Sequence, residues 1–270
     1  MEKTYEFGYW PTMGLGQGIR YILHFERSRN PNLKFTENTY FFTDYDRWIT
    51  DKEEQKQLTS FPNLPYLKIT TVKNNYLSMR TGEDVNNSTL LITQSDAILK
   101  ALGLEFGLEG KSLDEQIKID TVSGVLTDFY KGLLDHIFSA DKWKSISDFH
   151  QTNVMNGFCE QLDNHLKENK YVAGDNLSWC DFKMLHFLTV ASILSERLRS
   201  THKSIDRFMD SMVNGFGEEF KKYYSFQLED RGILPPFEIQ QAFNLNCGWP
   251  EAAGKTFNKI QPIFRRKVKL

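Results

Sequence analysis

The chain has 270 residues, 40% of them hydrophobic and 14% aromatic, with 33 basic against 35 acidic side chains and a formal charge of −2. That length suits two modest domains, and the apolar content is enough for a substantial core in each. The near balance of charge argues against a nucleic-acid or acidic-membrane binder, both of which normally gather a basic excess on one face. The basic run Arg265-Arg266-Lys267 near the end reads as a solvated tail. Met1-Glu2-Lys3-Thr4-Tyr5 places charges where a secretion signal needs an apolar run, and no stretch reaches the roughly 18 apolar residues of a membrane span. A cytoplasmic protein is therefore expected. Cys159, Cys180 and Cys247 are odd in number and far apart, which suits reduced thiols. No histidine stands at a metal-binding spacing, so no metal is expected.

In chain order, Tyr5–Tyr9 reads as a short strand, and Leu15, Ile19, Ile22 and Leu23 recur as the buried stripe of a helix. The turn between them, Gly14-Leu15-Gly16-Gln17-Gly18, approaches a dinucleotide fingerprint. The third glycine of that pattern is required where Ile19 stands, so a flexible strand-to-helix turn is the plainer reading. Phe35, Thr39, Tyr40 and Phe41 predict a second strand, Tyr66–Thr71 a third entered through Pro65, and Leu90–Thr93 a fourth. From Gln94, the residues Ala97, Ile98, Ala101 and Leu102 are helical in period. Thr71–Asn87 is polar and long for a hairpin loop, which usually has about 2–5 residues.

Gly103–Lys111 reads as a glycine-bearing connector, beyond which no strand is predicted. Ile117, Val122, Val125, Leu126, Phe129, Leu133, Leu134 and Ile137 form one long apolar helical face. Val154, Phe158, Leu162 and Leu166 form another, broken at Val172-Ala173-Gly174. Ser178 then stands at an N-cap with Asp181 three residues on, a carboxylate variant of the capping box, and Leu177 and Phe182 are spaced as a hydrophobic staple. The expected architecture is an α/β thioredoxin-like domain over residues 1–104, an all-α helical domain over 105–237, and an extension over 238–270.

Three stretches read together carry a resemblance: Tyr9-Trp10 at the end of the first strand, Phe61-Pro62-Asn63-Leu64-Pro65-Tyr66-Leu67, and Leu91-Ile92-Thr93-Gln94-Ser95. They resemble the N-terminal half of the glutathione transferases, the mu class most closely. Gly174 to Phe182 is similar to that family's capped helix start, and Ile233-Leu234-Pro235-Pro236 to its C-terminal element. The resemblance implies that Tyr9 is catalytic, its hydroxyl donating a hydrogen bond to the sulfur of glutathione. A free thiol has a pKa of about 8.5, so lowering it by about two requires roughly 2.7 kcal/mol of selective stabilisation of the anion. One hydrogen bond to a charged group supplies roughly 1.5–3 kcal/mol, and the helix start nearby a further 0.3–1 or so.

The same resemblance implies the rest of the site. Trp10 would flank Tyr9 in the peptide site, and Gln94 and Ser95 would hold the γ-glutamyl carboxylate at a helix start. Pro65 would be a cis-proline exposing the backbone of Leu64 to the cysteinyl part, with Asn63 completing the contact. Arg47, Trp48 and Lys52 would bind the glycine carboxylate, although a solvated surface role is as good a reading of Arg47. Asp128 would reach the amino group of glutathione on a neighbouring subunit, and Phe61 would insert into that subunit, against the plainer reading of an intramolecular core contact. Leu15, Tyr130 and Phe138 would line the electrophile pocket. Phe138 stands where many mu enzymes keep a tyrosine that assists a leaving oxygen, so epoxide opening is expected to be weak. The expected protein is a homodimeric glutathione transferase joining glutathione, as co-substrate, to a small hydrophobic electrophile, with no cofactor, nucleic acid or membrane involved. The competing expectation keeps the fold but makes it a catalytically weak glutathione-binding protein in scaffolding, storage or signalling.

Overall fold

The computed structural model describes residues 2–41, 45–72, 88–138, 153–194 and 197–229, and their side chains except at 72, 133–138, 153–156, 193–194 and 226–229. The first half is a four-stranded sheet in the order β2-β1-β3-β4. Strand β1 (Glu2–Tyr9) runs parallel to β2 (Lys34–Thr39) and antiparallel to β3 (Tyr66–Val72), and β4 (Ser88–Thr93) closes the far edge antiparallel to β3. The parallel pair requires a crossover, and helix α1 (Gln17–Arg29) supplies it. This is the predicted thioredoxin-like order. Thr71 pairs with Ser88 and Val72 with Glu2, so β3 takes in the first two residues of the polar segment expected as a loop. Residues 73–87, the last residues expected in the helical domain (230–237) and the expected extension (238–270) lie outside the described residues.

Helix α2 (Tyr45–Gln55) lies between β2 and β3 and was not expected. Its sequence is mostly charged, and only Trp48 and Gln55 are buried, so the 3.6-residue apolar period that reveals an amphipathic helix is too thin to read. It is held beside the end of β2, where Trp48 meets Tyr40 edge-on at 5.3 Å, the Tyr40 hydroxyl donates to Asp51 at 2.6 Å and Arg47 donates to Asn38 at 3.4 Å.

Helix α3 (Ser95–Phe106) runs four residues into the segment expected as a connector. Gly103 is therefore a packing glycine inside a helix: a Cβ there would come within 2.5 Å of the Trp179 indole. The true helix end is Gly107, in the left-handed conformation at φ 71°, with its N–H donating to the Gly103 carbonyl. The second half is helical among the described residues: α4 (Leu113–Phe138), α5 (Asn153–Glu168), α6 (Trp179–Leu194), the short α7 (Leu198–Thr201), α8 (Lys203–Asn214) and α9 (Glu218–Glu229). No described helix is long and apolar enough to cross a membrane. On α4, Ile119, Leu126, Phe129 and Tyr130 are buried, whereas Ile117 and Val125, expected on the same apolar face, are exposed together with Leu113.

The two halves share one core. Helix α6 is buried on all sides from Trp179 to Ala191, as is nearly all of α1, and the two helices pack on each other. A helix apolar all round belongs in the middle of a protein. Its start is fixed as expected, with one change of roles. Asp181 accepts the Ser178 backbone N–H at 2.8 Å and the Val172 N–H at 2.8 Å, while the Ser178 hydroxyl donates to the same carboxylate at 2.7 Å. Phe182 is fully buried, and Leu177 is partly buried against the core. Cys159 and Cys180 are free and buried, and burial pushes both thiols upward, so neither is a nucleophile at neutral pH.

Candidate active site

Tyr9 ends β1 and is almost wholly buried, at 7% exposure. The turn that follows folds back over it: the Leu15 backbone N–H donates to the Tyr9 hydroxyl at 3.0 Å. Gly14 makes this approach possible, because it sits at φ 34° and a Cβ there would lie 2.6 Å from the Tyr9 oxygen. Arg20, 1% exposed, ties the same turn together by donating to the Trp10 carbonyl at 2.9 Å and the Thr12 carbonyl at 2.7 Å. Its guanidinium pairs with Glu37 at 2.7 Å and lies 5.7 Å from the centre of the Tyr9 ring. Burial raises the phenol's pKa, against smaller downward pulls from the Leu15 N–H, Arg20 and Thr12. Tyr9 therefore keeps its proton at neutral pH and is a donor rather than a base.

A cavity of about 350 Å³ opens beside this turn, within the range of small-molecule sites. Among its walls are Leu15, from the turn, Gln94 and Ser95, from the start of α3, and Tyr130, from α4, so four of the expected residues meet there. Gln94 has φ 74°, a left-handed backbone at a residue other than glycine. Such a conformation costs of order 1–3 kcal/mol and concentrates at functional sites. It sets the chain at the N-terminus of α3, whose free N–H groups favour an anion.

Tyr9 and the other expected residues do not line this cavity. The Leu64-Pro65 peptide is cis, with both residues buried and Asn63 exposed, its side-chain oxygen accepting the Leu64 N–H at 2.9 Å. Trp10 stacks on Tyr45 at 6.2 Å. Trp48 is 5% exposed, Lys52 is partly exposed in the last turn of α2, and Arg47 lies 5.1 Å over the Tyr40 ring, lining a separate surface hollow with Asn38 and Asp51. Arg47 is thus placed away from the cavity. Asp128 is exposed on α4, and Phe61 is 76% exposed, which rules out the intramolecular core contact for that ring. Phe138 ends α4, and its side chain lies outside the described residues.

The cavity also holds residues that sequence reasoning missed. Lys183 and His186, on α6, line it, and both are buried. The Lys183 ammonium pairs with Asp96 at 2.8 Å and donates to the Ser123 hydroxyl at 2.8 Å, the Ser123 carbonyl at 3.0 Å and the Thr127 hydroxyl at 2.7 Å. One cation thus ties α6 to the residue after Ser95 and to the residue before Asp128. The available signal was their spacing: two ionisable side chains, three apart, interrupt the otherwise apolar run Phe182, Met184, Leu185, Phe187, Leu188.

Comparison with known proteins agrees with this architecture. Residues 140–215 match the family model described as glutathione S-transferase, C-terminal domain. Over 242 residues the chain is 26% identical to mouse (Mus musculus) glutathione S-transferase Mu 6, covering 87% of this chain and 95% of that protein. It is 27% identical over 210 residues to human (Homo sapiens) glutathione S-transferase Mu 3, covering 77% and 83%. Among solved structures, the Pi-class glutathione S-transferase of Onchocerca volvulus superposes with a TM-score of 0.63 at 20% identity, covering 82% of this chain and 92% of that one. The fold is that of the glutathione transferases: a thioredoxin-like sheet followed by a helical domain. By sequence the chain is similar to mu-class glutathione S-transferases over most of its length.

Proposed function

We propose that the protein binds glutathione across the cavity at the start of α3 and uses Tyr9 to hold its sulfur as thiolate for attack on hydrophobic electrophiles. The observation that carries this reading is the state of the Tyr9 hydroxyl. It accepts the Leu15 N–H at 3.0 Å, which leaves its own proton for a further acceptor, and burial keeps it protonated. A neutral phenol that donates to sulfur stabilises the anion selectively, and the Leu15 amide makes that phenol a better donor by polarising its oxygen. Gln94 and Ser95 offer the helix start to the γ-glutamyl carboxylate, the cis Leu64-Pro65 peptide presents backbone to the cysteinyl part, and Trp48 and Lys52 serve the glycine end.

In the reaction the sulfur lone pair forms a bond to the electrophilic carbon while the leaving group departs with its bonding pair. The thiol proton has already passed to solvent. A homodimer fits the surface: Phe61 is 76% exposed, Leu113 70% and Leu104 65%, apolar area that a monomer rarely leaves open. Asp128, exposed on α4, is then available to the glutathione of the partner subunit. Glutathione conjugation as detoxification in the cytoplasm is the setting this chemistry suits.

The test is conjugation of glutathione to a chlorinated nitrobenzene by the wild type and Tyr9→Phe, with the bound thiolate titrated by its ultraviolet absorbance. Loss of one charge-assisted hydrogen bond should raise the pKa of the bound thiol by about 1–2 and slow conjugation near neutral pH about 10- to 100-fold. An unchanged thiol pKa in the variant overturns the role of Tyr9. Retention on glutathione resin with no turnover by the wild type would instead identify a binding protein.

A further inference from the structure

We infer that Lys183 is a positioning residue for glutathione: by holding the Asp96 carboxylate it cancels a negative charge at the start of α3 and keeps that helix end open to the γ-glutamyl carboxylate. The inference deepens the proposed reading and rests on it. Asp96 is by itself a poor neighbour for an anion. It lies in the first turn of α3, lines the cavity beside Ser95, and its side chain is 46% exposed. Standing free, its carboxylate would repel that of the peptide and compete with it for the helix start.

The geometry removes both effects. Lys183 spans the two carboxylate oxygens of Asp96 at 2.8 and 2.9 Å, and the Thr127 hydroxyl stands 3.3 Å from the second. The Asp96 side chain is thereby turned toward α4 and α6. Gln94, at the N-cap, makes no side-chain bond to the helix either. The first N–H paired within the helix is that of Ile98, to the Gln94 carbonyl at 3.0 Å, so the N–H groups of Ser95, Asp96 and Ala97 precede the ladder. With Asp96 matched by Lys183 and His186 held neutral by burial, the charge left among the described residues of the cavity wall is Lys131, a cation. The wall is then net positive, which suits an anionic group. A bound peptide displaces water from the cavity and so weakens the screening of Asp96, which makes the countercharge matter more.

Fold stability gives little reason for a lysine here. Position 183 lies in a helix buried on all sides, and its side chain is 6% exposed. Exchanging a buried ion pair for apolar side chains of similar volume is often neutral or stabilising. Neutralising Asp96 beside an anion site supplies the reason that packing does not.

The experiment measures dissociation constants by titration calorimetry for glutathione and for γ-aminobutyryl-cysteinyl-glycine, which lacks only the γ-glutamyl carboxylate. The proteins are the wild type, Lys183→Met, and Lys183→Met combined with Asp96→Asn. The ratio of the two constants is taken on one preparation, so it does not depend on the folded fraction. We expect the wild type to favour glutathione, Lys183→Met to weaken glutathione about 10- to 100-fold without weakening the analogue, and the double variant to recover most of that loss. A ratio unchanged in Lys183→Met overturns the inference. A loss that persists in the double variant overturns it too, because it would mark a packing role for the lysine. A wild type that binds both peptides equally overturns it while leaving the role of Tyr9 intact. A wild type that binds no glutathione sinks the underlying reading, and this one with it.

Discussion

Removing the two partners of the buried ion pair on the cavity wall should give unequal losses of stability, in an order set by who is buried. The Lys183 side chain is 6% exposed and that of Asp96 46%. Lys183→Met deletes the cation together with its desolvation cost, and water can replace it at the half-exposed carboxylate. The remaining cost is the Ser123 hydroxyl, 4% exposed, which loses the ammonium as a partner; that is about 1–3 kcal/mol, partly offset by the apolar thioether. Asp96→Ala does the opposite: it leaves the ammonium inside the protein with two hydroxyls and a carbonyl but no countercharge, a change that costs about 3–5 kcal/mol. Asp96 also lies in the first turn of α3, where its charge contributes a further 0.3–1 kcal/mol or so. The double variant should lie closer to Lys183→Met than to the sum, because the second change removes the cation that the first would strand. Urea unfolding followed by circular dichroism measures all three. Equal losses from the two single variants, or strict additivity in the double, would refute the account of a buried cation held by a surface carboxylate. Because Asp96 follows Ser95 directly, Lys183→Met should also raise the KM for glutathione more than it lowers kcat.

Gly103→Ala gains about 1 kcal/mol of helix propensity but pushes a methyl group within 2.5 Å of the Trp179 ring, so we expect a net loss of about 1–2 kcal/mol in the same unfolding assay. Asp181 gives a dependence on pH. Desolvation raises its pKa from 3.8 to about 6, against smaller lowering from its hydrogen bonds with Ser178 and Val172. The folded state thus binds this proton more tightly than the unfolded chain. Its stabilising contribution is fully present below about 3.8 and is lost as pH rises through about 6, a change of about 3 kcal/mol. The stability of the wild type minus that of Asp181→Asn should therefore increase by about 2–3 kcal/mol on going from neutral pH to about pH 4. A difference independent of pH would mean that the carboxylate stays ionised throughout.

The sheet and the capped helix were legible because their signals are local. Alternation, the proline before β3 and the Ser178–Asp181 spacing each act within a few residues, and the structure returns all three. Helix α2 was not legible, because a helix that buries one tryptophan and one glutamine carries no apolar period. Gly103 misled for the opposite reason: a glycine reads as a break unless the indole that needs its space, 76 positions later, is known. The site divides along the same line. Tyr9, Gln94 and Ser95 belong to contiguous motifs and could be singled out from the sequence; Lys183 and His186 acquire meaning only when α6 crosses α1, where the backbone of Lys183 lies 3.4 Å from a Cβ built on Gly18. That crossing makes the helical half part of the cavity rather than a support for it. Leu15 on one side supplies the amide that donates to the Tyr9 hydroxyl, and Tyr130, Lys183 and His186 on the other side line the same cavity. Under the proposed reading α4 and α6 form the wall that faces the electrophile, so changes at Tyr130 should alter which electrophile reacts, whereas Lys183→Met also reaches the glutathione side through Asp96.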